Sequence, residues 1–202
     1  MQRKSIEPEM IRPDFQLGYH AIRLADADIA ADTWGFNCGP GALCGITGLS
    51  PAELRPFLGD FEQRGYMNPT LMRETLRRLG VIFQWRVIPI HKVHDAGSVD
   101  ECRSMAAATA PAFGLCRVQW GGPWCKPNVP MAARYSQTHW IAVARHPRRG
   151  LGVFDVNNNT DDDEIGWTPF EEWATVVAPE LIATYPRADG AWWFTHSATI
   201  TP

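Results

Sequence analysis

The chain has 202 residues and a mass of 22.6 kDa, with 45% hydrophobic and 20% charged residues, nine Trp and a formal net charge of −3. This composition excludes a disordered, collagen-like or coiled-coil chain, and a pI near 6.1 argues against nucleic acid as the main partner. A chain of this length buries roughly 70% of its unfolded surface and folds without a disulfide or a metal.

Residues 1–31 read as an N-terminal arm, with Pro8 and Pro13 interrupting its start, ahead of a single domain over 32–202. Within the arm, 21–31 reads as a short helix or an irregular segment. Ala42, Leu43 and Ile46 have helical spacing after Cys38-Gly39-Pro40, with Gly48 as the stop. Ser50-Pro51-Ala52-Glu53 is a capping box that opens a short helix to about Leu58. Asn68-Pro69 caps a further helix with Leu71, Met72, Leu76 and Leu79 on one stripe and Gly80 at its end.

Val81–Ile90 reads as a strand, Ser98–Glu101 opens a helix that ends by Pro111, and Ala112–Trp120 is a second strand. A Gly/Pro-rich loop with Trp124 and Tyr135 covers 121–138. Thr138–Arg145 and Leu151–Val156 form a hairpin turning at 147–150. Thr168-Pro169-Phe170-Glu171 is a third capping box, leading a helix to about Val177, and Leu181–Tyr185 and Ala191–Ile200 read as strands. Helices early and strands late predict an α+β domain built on an antiparallel sheet.

The five cysteines, at 38, 44, 102, 116 and 125, are odd in number and show neither a CxxC nor a zinc spacing. The start, MQRKSIEPEMIRPDF, has no apolar run after its basic residues, and no window holds eighteen apolar residues. A reducing cytoplasm is therefore the expected location, with no membrane partner.

Cys38 is the thiol with a chemical context. It stands at the predicted N-terminus of an apolar helix, whose partial positive charge favours thiolate. A nucleophilic thiol needs a His held by a third group. His139 opens the first hairpin strand and Asp155 closes the second, so the hairpin register sets a carboxylate beside the imidazole. Cys44 falls on the opposite helix face, Cys116 lies inside an apolar strand, and Cys102 sits in a helix. Cys125, beside Trp124 in a loop, is expected to be exposed and is the rival thiol. His20, His91, His94, His146 and His196 sit near loops or ends and read as solvated.

Asn37-Cys38-Gly39-Pro40-x-Ala42-Leu43 resembles the nucleophile motif of papain-like cysteine peptidases, closest to the bacteriocin-leader-processing (double-glycine) peptidases and their stand-alone relatives. Thr138-His139-Trp140-Ile141-Ala142-Val143 and Phe154-Asp155-Val156-Asn157 resemble that family's second motif in order and spacing. The likeness covers about residues 32–160. It implies a papain-like fold with the Cys helix packed on the sheet that carries His and Asp. It also implies thiol-dependent hydrolysis of a peptide or isopeptide bond, with Cys38 attacking, His139 as base then acid, and Asp155 orienting it.

The family's oxyanion Gln, six residues before the Cys, is replaced here by Asp32, whose charge would repel an oxyanion. The Cys38 N–H and the Asn37 side chain are the alternative donors, and Asn157 is an alternative orienting residue. Trp34, Trp124 and Trp140 are candidates to line a substrate groove. The partner is a peptide or protein substrate, and no cofactor or metal is implied. Asp155-x-Asn157-x-Asn159-x-Asp161 alternates oxygen ligands but has Thr160 and Gly166 where a calcium loop needs Gly and Glu, and reads as a solvated acidic loop. Acyl transfer through the same triad, and a catalytically weak protein that keeps the fold to bind a partner, are the competing readings.

Overall fold

The computed structural model describes residues 14–35, 38–88, 99–126, 128–130, 133–134, 137–158 and 163–202. In chain order, β1 (Ile22–Arg23) and α1 (Leu24–Trp34) precede α2 (Cys38–Thr47), α3 (Pro51–Leu54), α4 (Phe61–Arg64) and α5 (Pro69–Arg78). Then come β2 (Phe83–Val87), α6 (Val99–Thr109), β3 (Phe113–Trp120), β4 (Thr138–His146), β5 (Gly150–Phe154), β6 (Glu164–Ile165) and β7 (Trp167–Pro169). A helical run of α7 (Phe170–Glu172), a π turn (Trp173–Val177) and α8 (Ala178–Ala183) leads to β8 (Trp192–Ile200).

Six strands form one antiparallel sheet in the order β2-β8-β3-β4-β5-β7, and β1 pairs with β6 separately. The α+β class and the antiparallel sheet follow the sequence expectation. Strand alternation gives the sheet two buried faces. On β4, Trp140, Ala142 and Ala144 join a core with α1 to α5, while Ile141 and Val143 join a second core with Trp120, Val153, Trp173 and Trp192.

Local signals explain the helices on the first face. The Ser50 capping box forms in full: Ser50 Oγ accepts from the Glu53 N–H, and the Glu53 carboxylate accepts from the Ser50 N–H at 2.9 Å. Asn68 Oδ1 accepts from the Leu71 N–H at 2.8 Å and starts α5. α1 runs through position 31 without a break and buries Ala27, Ala30 and Trp34 in the first core, so the described part of the arm is integral to the domain.

Two expectations near the C-terminus are corrected. Leu181–Tyr185 is not a strand, because α8 continues the helical run to Ala183. The third capping box does not form. Thr168 belongs to β7, its hydroxyl accepts from Asn158 Nδ2 at 2.6 Å, and the helix starts from Pro169 with no side-chain cap. Pairing with β5 takes Thr168 into the sheet before it can cap anything.

Candidate active site

Three glycines explain how α2 meets the sheet. A Cβ at Gly41 would lie 2.6 Å from Val156 Cβ, and one at Gly45 would lie 2.5 Å from Phe154 Cδ1. A Cβ at Gly39 would lie 2.5 Å from Met67 Cβ. Each internal glycine costs a helix about 1 kcal/mol relative to alanine. Here that cost is offset by an approach no side chain permits, and all ten residues of α2 are buried. Trp140 fixes the same end: its ring faces Gly39, and its Nε1–H donates to the Met67 carbonyl at 2.7 Å.

The β4–β5 register pairs Ala142 with Phe154, and continuing it brings Asp155 and the residues after it alongside the start of β4. There His139 Nε2 and Asp155 Oδ1 are 2.9 Å apart, with 2% and 1% of the two residues exposed. A carboxylate oxygen only accepts, so Nε2 carries the proton in this pair. Nδ1 is the ring nitrogen left for Cys38, which lies near enough to His139 to act on the ring. Cys38 belongs to the first core, and His139 stacks on Trp120 of the second with ring centroids 5.9 Å apart. The contact between thiol and imidazole therefore joins the two sides of the sheet.

Asp155 receives two further donors, the Asn157 backbone N–H on Oδ1 at 3.0 Å and Trp173 Nε1–H on Oδ2 at 2.8 Å. Burial alone would raise this carboxyl. The His139 charge and the hydrogen bonds from His139, Trp173 and Asn157 outweigh it and hold Asp155 below the usual carboxylate range. For His139, burial alone would favour the neutral ring. The charges of Asp155 and Cys38 and the hydrogen bonds to both overcome that and hold the imidazole well above its ordinary value.

The structure brings Cys38, His139 and Asp155 together and separates them from most other candidates. Asp32 is exposed on α1, while Ala27, Ala30 and Trp34 face inward. Asn157 acts through its backbone, with its side chain exposed, so the orienting carboxylate is that of Asp155. Trp34 and Trp140 are core residues, 9% and 1% exposed, rather than groove walls, and Trp124 is half-buried with its Nε1–H on the Trp120 carbonyl at 2.8 Å. Asn37, Tyr135, His91, His94, Asn159, Thr160 and Asp161 lie outside the described residues.

All five cysteines are free and buried. Burial pushes the Cys44 thiol up to about 12 and Cys125 up to about 11, and also raises Cys102 and Cys116. Cys125 is not exposed, because it packs against Trp193. His196 is half-buried rather than solvated, and burial followed by the Arg117 charge pushes it down to about 4. Nothing in the sequence places Trp120 on the His139 ring or Trp173 on the Asp155 carboxylate. Their contacts with His139 and Asp155 cross from other elements, and no local spacing announces them.

The described residues thus bring a thiol, an imidazole and a carboxylate to one place on an α+β frame. Comparison with known proteins returns no matching family model and no matching curated protein. No helix among the described residues is long and apolar enough to cross a membrane.

Proposed function

We propose that the chain is a thiol-dependent hydrolase of the papain-like kind, cleaving a peptide or isopeptide bond through Cys38, His139 and Asp155. The observation that carries this reading is the buried His139–Asp155 pair, 2.9 Å apart, with Cys38 at the start of α2 near enough to act on the same ring. Cys38 Sγ, its proton held on His139 Nδ1, attacks the substrate carbonyl carbon. The oxyanion that forms lies at the N-terminus of α2, where the Cys38 and Gly39 N–H groups fall in a first turn without intrahelical acceptors, and Pro40 offers none. His139 gives its proton to the leaving amine, which departs and leaves an acyl-Cys38 thioester. His139 then takes a proton from water, whose oxygen attacks the thioester and frees Cys38.

Asp155 stays ionised throughout and stabilises the imidazolium. Five free thiols suit a reducing compartment, and the cytoplasm is the place this reading assigns.

The test needs no known substrate at first. Iodoacetamide labelling with peptide mapping from pH 5 to 9 should modify Cys38 ahead of the other four cysteines. A peptide library should then be cleaved by the wild-type chain and left intact by Cys38→Ala. Preferential labelling of another cysteine, or full hydrolysis by Cys38→Ala, overturns the reading.

A further inference from the structure

The helical run Phe170–Ala183 does not keep one register. Its middle turn is π-helical, and the Ala178 N–H donates to the Trp173 carbonyl five residues back. Pro179 supplies the cause. It has no N–H, and in a continuous α-helix its ring would collide with the carbonyl four residues earlier, that of Thr175. Widening the preceding turn by one residue relieves both problems.

The widened turn changes what the helix can bury. Trp173 and Ile182 are nine residues apart, so in an unbroken α-helix they would point about 180° apart. Yet both lie in the second core, 0% and 4% exposed. One inserted residue takes back about 100° of that separation and lets both face the sheet. Trp173 then delivers its Nε1–H to Asp155 Oδ2 at 2.8 Å. Large buried indoles elsewhere in this core are placed differently: among the described residues, the Nε1 atoms of Trp120 and Trp192 have no hydrogen-bond partner. The core therefore leaves indole N–H groups unbonded in two places and directs a third at the carboxylate that holds His139.

We propose that Trp173 is a positioning residue for the Cys38 site, holding Asp155 by its second oxygen, and that Pro179 sets the π turn that delivers it. The proposal rests on the catalytic reading above. His139 Nε2–H and the Asn157 N–H both converge on Oδ1, so without Trp173 the buried Oδ2 would lose its donor. The carboxylate would then be free to rotate away from the ring or to take up a proton.

Trp173→Phe keeps an aromatic ring and removes the N–H. The readouts are the pH dependence of Cys38 alkylation and the NMR titration of the His139 ring, neither of which needs a substrate. A hydrogen bond to a charged group supports a shift of about one pH unit, so the acid limb of alkylation should move up by that amount. The His139 ring should titrate at lower pH than in the wild type. Pro179→Ala should move both in the same direction with Trp173 still present.

A folded Trp173→Phe chain with wild-type alkylation and titration profiles overturns the positioning role. A Pro179→Ala chain with wild-type profiles overturns the assigned cause. Should Trp173→Phe not fold, the wild-type indole resonance decides: the Trp173 Nε1–H signal must move in Asp155→Asn, and an unmoved signal overturns the proposal. Shifted profiles in a chain without hydrolysis would remove the hydrolase reading and leave the positioning role. Hydrolysis with unshifted profiles would do the reverse.

Discussion

The two faces of the sheet solve the same problem by different means. On the first face, α2 is placed by missing side chains: Gly39, Gly41 and Gly45 let the helix backbone settle on Met67, Val156 and Phe154. On the second face, His139 and Asp155 are placed by large side chains, with Trp120 stacked on the imidazole and Trp173 bonded to the carboxylate. Steric placement resists a change of volume. Polar placement resists the loss of a donor or a charge. The two faces should therefore fail in different ways.

Asp155→Asn probes the second face and should show the largest effect on activity. The amide is nearly isosteric, but it offers a single acceptor oxygen where the carboxylate accepts from His139, Asn157 and Trp173, so the thermal midpoint should also fall. Hydrolysis should fall by about 10⁴-fold, the loss seen when the orienting carboxylate of a triad is neutralised. Measured kcat/KM and a melting curve check both parts. A loss below tenfold would remove Asp155 from the orienting role.

Gly45→Leu probes the first face, where activity and stability should fall together. The new side chain starts where Phe154 already lies, and overpacking of this kind costs about 1–3 kcal/mol, at times more. Urea unfolding at constant slope reports the loss. Gly45→Ala meets the same ring with fewer atoms and should fall between the wild type and Gly45→Leu. If Gly45→Leu kept full stability, close approach would not be what seats α2.

The same contrast governs what could be read from sequence. The helices of the first face announce themselves locally, through Ser50 with Glu53, through Asn68 before Pro69, and through a glycine-rich apolar stretch after Cys38. The hairpin turn at 147–150 is equally local, and its register was enough to pair His139 with Asp155. The second face depends on contacts between distant positions. The hydroxyl of Thr168 was spent on Asn158, which no capping pattern reveals. The Pro179 turn hides the continuation of the helix, so Leu181–Tyr185 reads as a strand in sequence. Trp34 and Trp140 read equally as groove or core because large rings suit both, and their burial places them in the core.

Two histidines carry the contrast into pH dependence, with smaller effects. His139, beside a carboxylate, is raised, and its contribution to stability is full below its unfolded value of about 6.5 and is lost as pH rises through its folded value. Asp155 is lowered, so its contribution is full above about 3.9 and is lost as pH falls through its folded value. Between those limits the pair contributes a constant amount.

His196 behaves oppositely. It pairs across to Arg117 on β3 and stays neutral down to about 4. Between about pH 6.5 and 4 the unfolded chain binds a proton there and the folded chain does not, so stability falls as the solution is acidified. His196→Asn should flatten the pH dependence of the urea midpoint in that window and leave its alkaline side unchanged, because the alkaline side belongs to His139. Cys38 alkylation should be unaffected. An unchanged acid slope would show that another group carries it, and a changed alkaline slope would show that the two histidines are coupled through the sheet.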